Sequence, residues 1–196
     1  VPFFIPEYHK PTSHQVFPLF VNEMGDLNAN KTFKPGIIQR NPFFDHTEIK
    51  YFVAMGDDKK PIGRIAAFVD HRYNKEQQEK HSETRTTGWI GMFECIEKDY
   101  ELAKDLFDHA QLYLKSKGCD LMIGPAKFNA NGPVGLLIKG FEYEPYFMEP
   151  YNASYYPRYF ERYGFSKLDD WFTIRVNDVS DEKIKKYIGK ARRLEE

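Results

Sequence analysis

The chain has 196 residues, 41% of them hydrophobic and 16% aromatic, so it can bury a full core and its length fits one domain. A formal net charge of -1 provides no overall field for a nucleic acid or an anionic membrane surface, so we expect neither partner. No apolar run approaches the ~20 residues of a membrane span. The cysteines, Cys95 and Cys119, lack the spacing of a zinc site and predict buried thiols in a reduced, cytoplasmic protein without a metal.

The first part of the chain predicts an irregular segment followed by a β-hairpin. Residues 1–42 are rich in proline, phenylalanine and asparagine and predict a wrap around the domain, with one short helix over residues 17–24. Two β-rich runs, 48–56 and 61–70, flank a polar turn and predict a pair of antiparallel strands. The charged stretch 71–85 has almost no aliphatic residues, so it predicts a solvated excursion or a mobile loop.

The middle of the chain predicts a strand, a helix and a second strand in direct succession. Residues 87–96 form an apolar, β-rich run. Apolar residues then recur at helical spacing from Tyr100, and Gly118 follows two lysines as a helix stop. Residues 119–123 are short and apolar, which is typical of a strand covered on both faces. Since the crossover contains a helix, we expect the two strands to be parallel.

The last part predicts a loop, a helix and a strand. Residues 129–140 contain several glycines and prolines and predict a structured loop or short helix. Residues 155–163 predict an aromatic helix that stops at Gly164, and residues 171–176 predict a final strand. We expect residues 1–176 to form one domain. The remaining residues, 177–196, predict a basic helical tail or a linker into further sequence.

This order of elements, together with local motifs between residues 41 and 165, resembles the Gcn5-related N-acetyltransferase (GNAT) superfamily, in particular a bacterial branch of it. The motifs cover about two thirds of the chain. They are Asn41-Pro42-Phe43-Phe44, Pro61-Ile62-Gly63-Arg64-Ile65-Ala66-Ala67, Gly124-Pro125, Gly135-Leu136-Leu137 with Gly140-Phe141, and Pro150-Tyr151-Asn152 before Tyr155-Tyr156. The resemblance implies an α/β fold of the acyl-CoA N-acyltransferase type. Its sheet is central and mostly antiparallel, with one parallel strand pair, and helices flank it.

The resemblance also implies a place for acetyl-CoA as cosubstrate. In the superfamily the pantetheine arm lies between two diverging strands, and the diphosphate rests on backbone N-H groups of the following turn. The positions that correspond to this site are Phe93, Cys95, Ile96, Lys98, Glu101 and Ala103. Lys98 and Ala103 fit the superfamily's turn pattern, whereas Glu101 places a negative charge where a diphosphate would lie. We expect the site to tolerate Glu101 if that side chain points outward or if a basic residue offsets it.

Three side chains are candidates for the chemistry. The superfamily's usual general acid is a tyrosine, but the aligned residue here is Phe160, so Tyr156 or Tyr159 would supply the hydroxyl. Glu94 lies near the end of its strand, where it could accept the proton of an attacking amine. The alternatives are that these tyrosines only pack in the core and that Glu94 is an outward carboxylate at a strand end.

Four polar side chains are candidates for binding the acceptor, although each is an equally good loop or core residue: Asn129, Asn131, Glu149 and Asn152. The sequence therefore favours an enzyme that acylates a small amine or an amino-acid-like acceptor. The alternative is a degenerate domain of the same fold that acts as a binding module. A purely structural role has the least support. A homodimer, or a second similar domain in a longer chain, is the expected protein partner.

Overall fold

The computed structural model describes residues 41–96, 99–128, 132–145 and 149–173. The chain divides into two compact units, residues 1–165 and 166–196, and the sheet lies in the first. The helix expected over residues 17–24 and the basic tail fall outside the described residues. In the described part of the second unit, Lys167 forms an ion pair with Asp170. The limits expected for the single domain remain a prediction.

The predicted hairpin is confirmed. Strand β1 (Thr47–Met55) pairs antiparallel with strand β2 (Pro61–Asp70) over almost its whole length. The turn between them contains Lys59 at a φ of 59°, in the left-handed region. Strand β2 is more buried than β1 because it lies between β1 and β3 in the sheet order β1-β2-β3-β4.

The charged stretch 71–85, expected to be a solvated excursion or a mobile loop, is solvated but contains a helix rather than a loop over residues 71–81. Helix α1 (His71–His81) is capped by Asp70, whose side chain accepts a hydrogen bond from the N-H of Tyr73 at 3.0 Å. Asn74 then anchors the helix through two bonds to the backbone of Thr87, at 3.0 and 2.9 Å. No residue of α1 is buried, so the helix lacks the apolar periodicity that sequence analysis recognises.

The predicted strand-helix-strand unit is confirmed, with a shorter last strand. Strand β3 (Thr87–Cys95) is followed by helix α2 (Tyr100–Ser116) and by strand β4 (Leu121–Ile123), which is parallel to β3. All three residues of β4 are only partly buried, so the expectation of a strand covered on both faces was wrong. The cause is its place at the edge of the described sheet.

Helix α3 (Tyr156–Tyr163) ends, as expected, at Gly164, which has a φ of 112°. Helices α2 and α3 cover one face of the sheet and form the main core with it. The opposite face carries a smaller cluster built on Phe43, Phe68 and Phe128. Phe43 belongs to a short 3-10 helix, Pro42–Asp45. The region expected to be a loop or short helix contains no helix over residues 132–140.

The final strand expected over residues 171–176 is not observed in its described part. Residues 171–173 are not in a strand, and residues 174–176 lie outside the described residues. Trp171 and Phe172 are exposed, so this segment lacks the packed face that stabilises a strand. Among the described residues, no helix has the length and apolar character needed to cross a membrane.

Candidate active site

The centre of the candidate site is the point where β3 continues beyond β4. The two strands pair only from Thr87 opposite Leu121 to Trp89 opposite Ile123. One further bond, from the N-H of Ala126 to the carbonyl of Ile90 at 2.9 Å, holds the chain that leaves β4. Residues 91–95 of β3 extend past this contact. The described ladder therefore closes the parallel pair at one end only.

A β-bulge turns this extension of β3. Arg64 lies opposite Glu94 and Ala66 lies opposite Gly91, so Ile65 alone faces two residues of β3. One of these two, Met92, has a φ of 50°, which is uncommon outside glycine. The extra residue reverses the alternation of side chains along the strand.

The reversal decides which side chains of β3 face the main core. Before the bulge Ile90 belongs to that core, and after it Phe93 and Cys95 do. By alternation Glu94 faces the opposite side of the sheet, the side of Met92 and the smaller aromatic cluster. The predicted base and the predicted acid therefore approach β3 from different sides.

Glu94 forms an ion pair with Arg64 on the neighbouring strand. The Nη2 atom of Arg64 donates to Oε1 of Glu94 at 2.6 Å. Each side chain is only 15% exposed. Charge-assisted bonds of this kind are stronger than neutral ones, and they lose little to solvent screening when the pair is mostly buried. Glu94 is thus not a loose carboxylate at a strand end.

Two tyrosines at the start of α3 contact the last residue of β3. The N-H of Cys95 donates to the hydroxyl of Tyr156 at 3.1 Å, and the hydroxyl of Tyr155 donates to the carbonyl of Cys95 at 2.9 Å. Tyr156 is buried. A phenolic hydroxyl therefore lies at the edge of β3, beside the residues that would line a thioester arm.

The other aromatic candidates of α3 are packed differently. The ring of Tyr159 lies edge-on to the ring of Tyr100, with 5.7 Å between the ring centroids, and it also contacts Tyr155. Phe160, which the resemblance aligns with the superfamily's tyrosine, is buried between Phe93 and Phe107. Of the two predicted acids, the structure brings Tyr156 to the edge of β3.

The beginning of α2 is the expected diphosphate position. Asp99 caps the helix, since its side chain accepts a bond from the N-H of Leu102 at 2.9 Å. Glu101 is 76% exposed and lies 3.6 Å from Arg162 of α3. The guanidinium of Arg162 also lies 3.7 Å from the centroid of the Tyr100 ring. A basic group therefore partly offsets the charge of Glu101, although solvent screens this exposed pair.

The remaining predicted cofactor residues contribute little through their side chains. The side chains of Phe93, Cys95 and Ala103 are buried in the main core. The N-H of Cys95 is bonded to Tyr156, and the N-H of Ala103 donates to the carbonyl of Asp99 at 3.2 Å. Burial raises the pKa of the Cys95 thiol to about 12, which keeps it protonated. The N-H of Ile96 donates to the carbonyl of Ile62 at 3.2 Å. Lys98 lies outside the described residues.

Two of the four predicted acceptor residues, Glu149 and Asn152, lie among the described residues. Asn152 bonds to the backbone of Leu137 through both its amide oxygen, at 2.7 Å, and its amide nitrogen, at 3.3 Å. This side chain therefore stabilises a loop, which was the alternative interpretation. Glu149 precedes Pro150 in a segment without helix or strand, and Asn129 and Asn131 fall outside the described residues.

Sequence analysis assigned no role to three residues that the structure places at the site. They are Arg64, Tyr155 and Arg162. Arg64 had a signal, because an isolated arginine within an apolar strand predicts a carboxylate partner nearby. Tyr155 and Arg162 depend on how α3 packs on α2 and β3, which local sequence does not reveal.

Comparison with known proteins gives two distant relatives. The chain is 30% identical over 166 residues to a protein named bacterial ceramide synthase from Caulobacter vibrioides, a match that covers 85% of this chain and 39% of the relative. It is also 30% identical over 183 residues to Protein YghO from Escherichia coli, covering 90% of this chain and 41% of the relative. No protein-family model and no solved structure matches the chain. The chain thus spans about two fifths of the length of these curated relatives.

Proposed function

We propose that this chain is an acyl-CoA-dependent N-acyltransferase-like domain that transfers an acyl group to the amine of an acceptor. The observation that carries the proposal is the parallel pair β3-β4, which is closed at one end while residues 91–95 of β3 continue past it. The resemblance to the GNAT superfamily supports the same interpretation, because that superfamily holds its thioester arm where two such strands diverge. The order of the described elements is compatible with that fold.

The residues around the end of β3 suit the two proton transfers of the reaction. The neutral amine attacks the thioester carbonyl, a C-N bond forms, and the C-S bond to CoA breaks. In the proposed mechanism Glu94 accepts the proton that the amine loses, and Tyr156 donates a proton to the departing thiolate. Because Glu94 and Tyr156 approach β3 from different sides, the amine and the leaving sulfur need not compete for one space.

The relatives bear on the donor and the acceptor. Acetyl-CoA is the simplest donor for such a domain. The name of the relative from Caulobacter vibrioides contains ceramide, and a ceramide carries a fatty acyl group in amide linkage, so that name also points to acylation of an amine. We therefore propose testing a long-chain acyl-CoA beside acetyl-CoA, and an amine with an apolar tail beside a small amine.

A second function, binding of a partner without catalysis, has one observation in its favour. The hydroxyls of Tyr155 and Tyr156 already bond to the backbone of Cys95, where a thioester arm would run. This arrangement would suit a domain that retains the fold and binds a partner without turnover. A second similar domain in a longer chain, or a second copy of this chain, would then be that partner.

Release of CoA from a thioester tests the two functions. The purified protein is mixed with acetyl-CoA or palmitoyl-CoA and an amine, and the released thiol is measured together with the mass of the product. We expect turnover, and we expect Glu94→Gln and Tyr156→Phe to lower kcat about 10²-fold or more. Tyr159→Phe is the matched control and should keep most activity. If neither donor releases thiol, the proposed enzymatic function is refuted and the binding function remains.

A further inference from the structure

Strand β2 carries one charged residue inside an otherwise apolar stretch. Arg64 follows Gly63 and precedes Ile65, Ala66 and Ala67 in the sequence. It pairs with Val53 on one side and with Glu94 on the other, in the same row of the sheet. Its side chain is 15% exposed, so the guanidinium is largely desolvated.

Stability alone is a weak reason to retain such a pair. A mostly buried ion pair often contributes no more to folding than two apolar side chains of the same volume, because desolvation offsets the attraction. The neighbours of Arg64 on this face are Val53 and Ala66, and Phe43, Phe68 and Phe128 are buried together on it; its other charged residue on β2, Asp70, lies at the end of the strand. An apolar pair would therefore suit the surroundings at least as well.

The bulge gives the pair a geometric meaning. If β3 alternated regularly through Met92, without a bulge, Glu94 would face the main core as Ile90 does. With it, Glu94 lies opposite Arg64, and the 2.6 Å bond between them restricts the carboxylate to one orientation. Both features act on the segment of β3 that extends past β4.

We infer that Arg64 is a positioning residue that fixes the carboxylate of Glu94 for proton transfer from the acceptor amine. This inference rests on the proposed function, since it assigns Arg64 a task at that same site. Misplacement of a reacting group by about 1 Å can cost about 10²-fold in rate. The loss should appear in kcat, because Arg64 acts through Glu94.

The experiment compares four variants in the same acyl-transfer assay, with melting temperature measured for each. Arg64→Gln removes the charge, and Arg64→Lys retains it and one donor. Arg85→Gln is the matched control, because Arg85 pairs with Glu83 on the surface. Asp70→Asn alters a buried helix cap away from the site and controls for loss of stability.

We expect Arg64→Gln to lower kcat about 10- to 100-fold while the KM for the amine changes less than about threefold. Arg64→Lys should recover at least a third of the lost activity on a logarithmic scale, and Arg85→Gln should behave as the unaltered protein. The inference is overturned if Arg64→Gln keeps kcat within twofold of the unaltered protein, or if Arg64→Lys recovers none of the lost activity. It is also overturned if Asp70→Asn, at the melting temperature of Arg64→Gln, loses as much kcat as Arg64→Gln does. An unaltered protein without turnover refutes the proposed function, and the role of Arg64 with it. Turnover that is insensitive to Arg64 refutes the role alone.

Discussion

Replacing Gly91 by alanine tests the close approach between β3 and the chain that leaves β4. A Cβ atom at this position would lie 1.8 Å from the carbonyl oxygen of Ala126 and 2.9 Å from its carbonyl carbon. Both atoms belong to the backbone, so no side-chain rotation can relieve the overlap. The chain around Ala126 must move, and its N-H would lose the 2.9 Å bond to the carbonyl of Ile90.

The expected cost follows from these two effects. Overpacking of a dense interior costs about 1–3 kcal/mol, and loss of the hydrogen bond adds about 1 kcal/mol, so the sum is about 2–4 kcal/mol. Gly88→Ala is the matched control on the same strand. Its Cβ would lie 2.7 Å from a methyl carbon of Leu114 and 3.0 Å from the sulfur of Cys119. These are side-chain atoms, which can rotate, so we expect a cost smaller by about 1 kcal/mol or more.

Urea unfolding followed by far-UV circular dichroism measures both costs. Gly91→Ala should lower the midpoint more than Gly88→Ala, with the same dependence of the free energy of unfolding on urea. Equal midpoints for the two variants, or an unchanged midpoint for Gly91→Ala, would show that the chain near Ala126 does not lie against β3. The separation of the strands beyond that contact would then lose its support.

Three further predictions test other parts of the described chain. Asp70→Ala should lower the free energy of unfolding by about 1–2 kcal/mol and reduce the helical signal at 222 nm, since it removes the cap of α1. A thiol reagent at pH 8 should modify Cys119, which is partly exposed, before the fully buried Cys95; peptide mass spectrometry reads the order. Hydrogen bonds from Lys104 and Tyr163 lower the pKa of the Asp108 carboxyl, so its stabilising effect is present above the unfolded pKa of about 4 and is lost as pH falls through the folded pKa. Urea unfolding at pH 7 and pH 3 should therefore show a smaller loss of stability for Asp108→Asn than for the unaltered protein.

The sequence predicted those elements whose side chains follow a simple period. The hairpin and α2 were recognised because their apolar residues alternate or recur at helical spacing, and packing on one face then stabilises them. Helix α1 was missed because Asp70, Asn74 and i,i+4 ion pairs such as Arg72 with Glu76 stabilise it instead. These contacts leave no apolar signature.

The candidate site was predictable only in part, because its decisive contacts join distant parts of the chain. Glu94 and Tyr156 were named from the sequence, but the bond from Cys95 to Tyr156 spans 61 residues. The partner of Glu94 lies 30 residues away, and its position depends on a bulge at Met92. A bulge of this kind follows from the pairing of β2 with β3, which no local pattern records.

The bulge also explains how one short segment can serve two reactants. If β3 alternated regularly through Met92, Glu94 would face the core under α2 and α3, where an acceptor amine has no access. The extra residue moves Glu94 to the opposite side and leaves the backbone of Cys95 at the strand edge, beside Tyr156. In the proposed reaction the donor thioester then runs along the edge while the amine approaches from the side of Arg64.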